Sequence, residues 1–198
     1  MSLEQIIARC LEVGINCLGI ADHNTIAGAK KMKEIAPFSI IVGEEILTLD
    51  GEVIGFFLSH EIPSKLSMKE TVAQIKAQNG LVCIPHPYDR LRMSVFRDQV
   101  FDDIMNDVDI IEAFNARSLS AGSSTRARQL ARKYGKAASA GSDAHTLPEI
   151  GNAYVEMPDF NSKEEFLASL AKGKISGNKS NPTAHFISTW NRLKKRLS

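Results

Sequence analysis

Apolar and polar positions along this chain alternate between two periods. Residues 3–13 place Ile6, Ile7, Cys10, Leu11 and Val13 at the spacing of one helix face, and Gly14 stands where such a helix ends. Residues 17–21 form a short apolar run, as a buried strand does. Helical spacing returns at 25–34. Strand-like runs follow at 39–42 and 53–58, joined through Leu49-Asp50-Gly51-Glu52, where Asp-Gly marks a hairpin turn. Ser67 and Glu70 have the spacing of a capping box before a helix that runs to about 78, where Asn79-Gly80 stops it. A strand at 81–84, a helix near 100–105, a strand at 109–113 and a helix at 124–134 come next. Strands at 136–140 and 153–156 and a helix at 162–172 complete the series. Strands alternating with helices predict an α/β fold built on a mostly parallel sheet covered on both faces.

Composition narrows the classes. The chain has 198 residues, a formal net charge of +1 and 43% hydrophobic residues, which suits one domain with a single core of ordinary size. A charge this close to zero gives no reason to expect a nucleic-acid partner. No apolar run approaches a membrane span, and Glu4 and Arg9 interrupt the start where a signal peptide would lie. Cys10, Cys17 and Cys83 are odd in number and scattered, which argues for a reducing, cytoplasmic setting and for cysteines used as small buried hydrophobes. No linker or repeat divides 1–198, so a single domain is expected, with 176–198 as a basic tail or helix around Arg192 to Arg196.

Polar clusters follow the predicted strands. Asp22-His23-Asn24 follows the run at 17–21. Glu44-Glu45 follows 39–42, and His86-Pro87 follows 81–84. Glu112 and Asn115 close the strand near 110. Gly141-Ser142-Asp143-Ala144-His145 follows 136–140. In a parallel α/β sheet the carboxyl ends of the strands open onto one crevice, so these groups are expected to converge. Imidazoles and carboxylates without a thiolate suit Zn, Mn or Fe. Asp143 and His145 are two apart and would point to opposite faces if extended, so their loop has to curl. His60 and His185 stand in polar contexts and read as solvated. No G-x-S-x-G elbow and no G-x-G-x-x-G are present, which sets aside a serine hydrolase and a dinucleotide site.

Four stretches taken together resemble the motifs of the PHP (polymerase and histidinol phosphatase) family of metal-dependent phosphoesterases. These are IADHNTIAG at 20–28, GEEI at 43–46, PHP at 85–87 and GSDAH at 141–145, in the family's order, over about three quarters of the chain. The resemblance implies a distorted (β/α)7 barrel carrying two or three divalent metals. It implies His23, Glu45, His86, Asp143 and His145 as metal ligands, with Asp22 supporting His23. Glu52 stands where the family usually has a ligand histidine, and is either a carboxylate ligand or a lost one. A metal-activated water would attack phosphorus, with Asp143 and His145 at the reacting centre. Arg90, Arg92 and Arg117 would hold the phosphate. The substrate is expected to be a small phosphate ester.

The family's opening strand, with its HxH pair, has no counterpart before His23. A barrel lacking its first strand would have an open seam, which a second copy in a homodimer would cover, and the chain would be weakly active or inactive as it stands. The alternative is a non-catalytic PHP-like binding or scaffold domain. A metal-dependent amidohydrolase would want a carboxylated lysine, or four histidines plus an aspartate in its own arrangement, and no lysine stands at a convincing strand end.

Overall fold

The computed structural model describes residues 1–89, 102–120 and 122–180. In chain order the elements are α1 (Leu3–Glu12), β1 (Cys17–His23), α2 (Ala27–Ile35), β2 (Ser39–Leu47), β3 (Glu52–Phe56), α3 (Met68–Ala77) and β4 (Leu81–Ile84). Then come β5 (Ile110–Asn115), α4 (Ser123–Tyr134), β6 (Ala137–Gly141), a 3-10 turn (Leu147–Glu149), β7 (Ala153–Glu156), α5 (Lys163–Ala171) and β8 (Lys174–Gly177). Arg90, Arg92, the first two residues of the expected helix near 100–105, His185 and the basic end from 181 lie outside the described residues, and residues 102–104 are helical as expected.

Local chemistry starts and stops these elements. Ser67 Oγ accepts the Glu70 backbone N–H while Glu70 Oε2 accepts the Ser67 N–H, so two donors left over at the start of α3 are satisfied reciprocally. Ser67→Ala is expected to cost about 1 kcal/mol, read as a lower urea midpoint at unchanged slope. Ser2 and Gln5 form the same box at α1. The Asp-Gly hairpin joins β2 to β3, with Gly51 O accepting both the backbone N–H and the hydroxyl of Thr48.

Six strands form one sheet in the order β1-β2-β3-β4-β5-β6. The β1–β2, β4–β5 and β5–β6 pairs are parallel, and β3 runs antiparallel to both its neighbours. The carboxyl ends of the five parallel strands, and the amino end of β3, therefore share one edge. The apolar runs are continuous because both faces are covered. Val42, Val82, Ile84 and Ile111 pack against α2, α3 and α4 on one face. Ile41, Leu81, Cys83 and Ile110 pack against Phe166 and Leu170 of α5 on the other.

The sheet curls. Laid flat, six strands would hold their outer members about 24 Å apart. The rings of His23, at the end of β1, and His145, just beyond β6, instead lie 6.4 Å apart between centroids. Neither β1 nor β6 pairs with a further strand of this sheet among the described residues. The result is a mixed α/β fold around a curled half-barrel. Two details differ from expectation. β2 continues to Leu47, so Glu44 and Glu45 lie within a strand. Ser176 and Gly177, expected in the tail or helix from 176, belong to β8, which pairs antiparallel with β7. Asn178 and Ser180 are then tied back by bonds to Asn152 O and Ala116 O.

Candidate metal centre

Strand alternation decides which polar groups face inward. Ile41, Ile54, Cys83 and Ile110 mark the face packed on α5. Counting in steps of two from Cys17, Ile41, Ile54 and Ile110 puts His23, Glu45, Glu52 and Glu112 on that same face. Asp22 and Glu44 fall on the opposite face, against the α2 and α3 layer. Glu44 is fully buried there, and burial raises its pKa; its Oε2 accepts the Ile62 N–H at 3.0 Å. Asp22 packs so closely on Gly28 that a Cβ at that glycine would strike its carboxylate. Burial raises the Asp22 pKa, and His23 partly offsets this.

The inward groups meet at the carboxyl edge. Glu45 lies between two imidazoles, with Oε2 3.2 Å from His23 Nδ1 and Oε1 3.1 Å from His86 Nε2. Glu52 Oε2 is 3.7 Å from the same His86 nitrogen. One ligand atom each from Glu45, Glu52 and His86 lies within 4.8 Å of the others. Glu52 reaches this cluster because β3 begins where its neighbours end. His145 faces His23 across the curl, and its Nδ1 lies 2.9 Å from the Asp143 carbonyl oxygen and 3.6 Å from Asp143 Oδ1. That bond assigns the proton to Nδ1 and leaves Nε2 as the lone-pair nitrogen.

The backbone is bent sharply at three of these positions. Asn24, His86 and Asp143 have φ of 53°, 29° and 50°. Non-glycine residues in that region cluster at functional sites, where surrounding bonds hold them. Asn24 is held by its N–H on Glu45 O and by its Oδ1, which accepts the Leu47 N–H. His86 donates its N–H to Glu112 Oε2 at 2.7 Å. The expected curl between Asp143 and His145 is made by Asp143 itself.

Glu112 ties the strands together beneath the cluster. Its Oε2 also accepts from Asn115 Nδ2 at 3.0 Å, and Asn115 Nδ2 lies 3.4 Å from Asp143 Oδ2. Burial pushes the Glu112 carboxyl up to about 7; His86 opposes the shift and Asp143 adds to it. Gly141 is required beside it, since a Cβ there would run into Glu112 Oε1. Gly141→Ala is expected to cost about 1–3 kcal/mol, the usual price of overpacking, in chemical denaturation, and to move Glu112 off His86.

Arg117, expected at the phosphate, is buried, with Nη1 2.8 Å from Glu149 Oε1. Glu149 was not legible in the sequence, where Leu147-Pro148-Glu149 reads as an ordinary polar loop. His60 is exposed and bonded to Ser59, apart from the cluster.

Comparison with known proteins agrees with this architecture. The family model described as PHP-associated matches residues 123–175. An uncharacterised protein of Methanocaldococcus jannaschii is 37% identical over 161 residues, covering 76% of this chain and 65% of that protein. A second uncharacterised protein of the same organism is 42% identical over 106 residues, covering 52% of this chain and 60% of that one. The chain thus spans less than two thirds of the length of either relative. Among solved structures, a two-domain protein from Bacteroides vulgatus containing a predicted PHP-like metal-dependent phosphoesterase superposes with a TM-score of 0.70. It is 14% identical, over 90% of this chain and 61% of that one. PsfC from Pseudomonas syringae superposes with a TM-score of 0.69 at 15% identity, over 96% of this chain and 88% of that one. At such identities the likeness is one of fold. The chain thus matches a PHP-associated family model over α4, β6 and α5 and shares the mixed α/β, curled-sheet fold of PHP-like structures.

Proposed function

We propose that the carboxyl edge binds divalent metal and that the chain hydrolyses a small phosphate ester there. The observation that carries this is the meeting of Glu45, Glu52 and His86 within 4.8 Å of one another, with Glu45 shared between the His86 and His23 imidazoles. Mixed imidazole and carboxylate donors fit Mn, Zn or Fe. When bound, such an ion supplies Lewis acidity and an acidified water for attack on phosphorus.

The chain's own residues supply the rest. His23, Glu45, Glu52 and His86 form one wall of ligands, and Asp143 and His145 form the facing wall across the curl. Glu112 fixes the His86 backbone, and Asn115 links Glu112 to Asp143. Arg90, just past the His86 turn, is proposed to hold phosphate oxygens. The short connection from Glu45 to His86 contains no inserted lid domain, which favours a small or extended substrate. The Bacteroides vulgatus neighbour, which contains a predicted PHP-like metal-dependent phosphoesterase, supports the same reading.

The test is metal content by elemental analysis after loading with Mn and Zn, with hydrolysis of a simple aryl phosphate before and after chelation. One or more metals per chain with chelator-sensitive hydrolysis supports the proposal. Metal uptake without turnover favours a binding module. A chain that retains no metal overturns the metal site.

A further inference from the structure

Glu149 lies four residues beyond His145, is 3% exposed, and makes contacts that reach into the candidate site without touching its centre. We propose that Glu149, anchored by Arg117, is a positioning residue that sets His145 for metal binding. This rests on the metal-site reading above.

Glu149 uses both oxygens in different directions. Oε2 accepts the His145 backbone N–H at 3.0 Å and the Thr146 hydroxyl at 2.9 Å. Oε1 accepts from Arg117 Nη1 at 2.8 Å, and both of these side chains are almost wholly buried. The Glu149 N–H bonds back to Thr146 O at 3.1 Å, so the turn closes on itself around the carboxylate.

Arg117 is in turn fixed to the end of β5. Its backbone N–H donates to Asn115 Oδ1 at 2.9 Å, while the amide nitrogen of Asn115 faces Glu112 and Asp143. One side chain, Asn115, therefore joins the two supports. It steadies Asp143 directly and His145 by way of Arg117 and Glu149. The His145 ring, with Nδ1 on the Asp143 carbonyl oxygen, has little freedom left once its backbone is held.

The charge state matters to the inference. A buried ion pair seldom adds net stability over an apolar pair of the same size. A carboxylate is nevertheless the group that can accept from a guanidinium, an amide and a hydroxyl at once. That need arises here because the loop carrying His145 leaves the sheet and has to be fixed from outside it. Partners behind a ligand histidine commonly change metal affinity about 10–100-fold when removed.

The experiment is Co2+ titration of the whole chain, followed by its visible bands, for wild type, Glu149→Gln, His145→Ala and the double variant. Glu149→Gln keeps the size and one acceptor oxygen but loses the carboxylate that Arg117 and His145 share. It is expected to weaken Co2+ binding about 10-fold or more and to shift the bands. In the His145→Ala background the same change is expected to do nothing further, because Glu149 acts through His145. Arg117→Lys, which keeps the charge but not the fixed fork, is expected to shift affinity in the same direction by a smaller factor. It decides the matter if Glu149→Gln fails to fold by circular dichroism. Folded variants that bind Co2+ as wild type does, or losses that multiply in the double variant, overturn the inference while leaving the metal site intact. A wild-type chain that takes up no Co2+ overturns the metal site, and the inference falls with it.

Discussion

Glu45→Ala is expected to lower divalent-metal affinity by more than about 100-fold and to abolish chelator-sensitive phosphate-ester hydrolysis. Removing a partner behind a metal ligand typically costs about 10–100-fold, and Glu45 is proposed as a ligand itself. Its two oxygens lie within 3.2 Å of two imidazoles. Its loss leaves His23 and His86 without their shared partner and opens the middle of the donor set. Glu52 cannot replace it, since its oxygen lies on the His86 side at 3.7 Å. Isothermal titration with Mn2+, paired with circular dichroism to confirm the fold, reads the effect. A folded Glu45→Ala chain that binds metal as tightly as wild type would remove Glu45 from the site.

The second large effect concerns Glu112 and pH. In the folded chain burial raises its carboxyl from an ordinary 4.5 to about 7. Between those values the folded state keeps a proton that the unfolded state has released, so stability falls as pH rises through that window. The metal-free protein is then expected to lose on the order of 3 kcal/mol between pH 4.5 and 8 from this group. Glu112→Gln removes the titration while keeping an oxygen for the His86 N–H. Its stability is expected to be flatter across the same range, so the variant gains on wild type at pH 8. Urea denaturation of chelator-treated protein at several pH values provides the comparison, because a bound cation would favour the ionised carboxylate. The difference between the two proteins isolates Glu112 from Asp22 and Glu44, whose raised values act with the same sign. Parallel pH curves for the two proteins would place the titration elsewhere.

Much of the scaffold was legible because the signals are local. The apolar runs of β4 and β7 match the expected strands residue for residue. The Ser67 and Glu70 box and the Asp50-Gly51 hairpin depend on neighbours a few residues away, and both form as expected. β8 escaped because Lys174 to Gly177 offers a single large apolar side chain, and only pairing with β7 makes it a strand.

For the candidate site, the chain by itself determined which residues stand at strand ends. His23, His86 and the Asp143 to His145 loop reach the carboxyl edge because each follows an apolar run. The tertiary structure decided which of those groups meet. Both faces of the sheet are buried, so alternation alone cannot say whether Glu44 or Glu45 faces the concave side; the curl toward α5 does. The antiparallel course of β3 brings Glu52 to His86. The pairing of Arg117 with Glu149 joins residues 32 apart, and only the fold of the loop after β6 brings them together. Burial, with Asp143 beside it, sets the protonation of Glu112. Distance, face and dielectric are properties of the packed chain, and no spacing in the sequence encodes them.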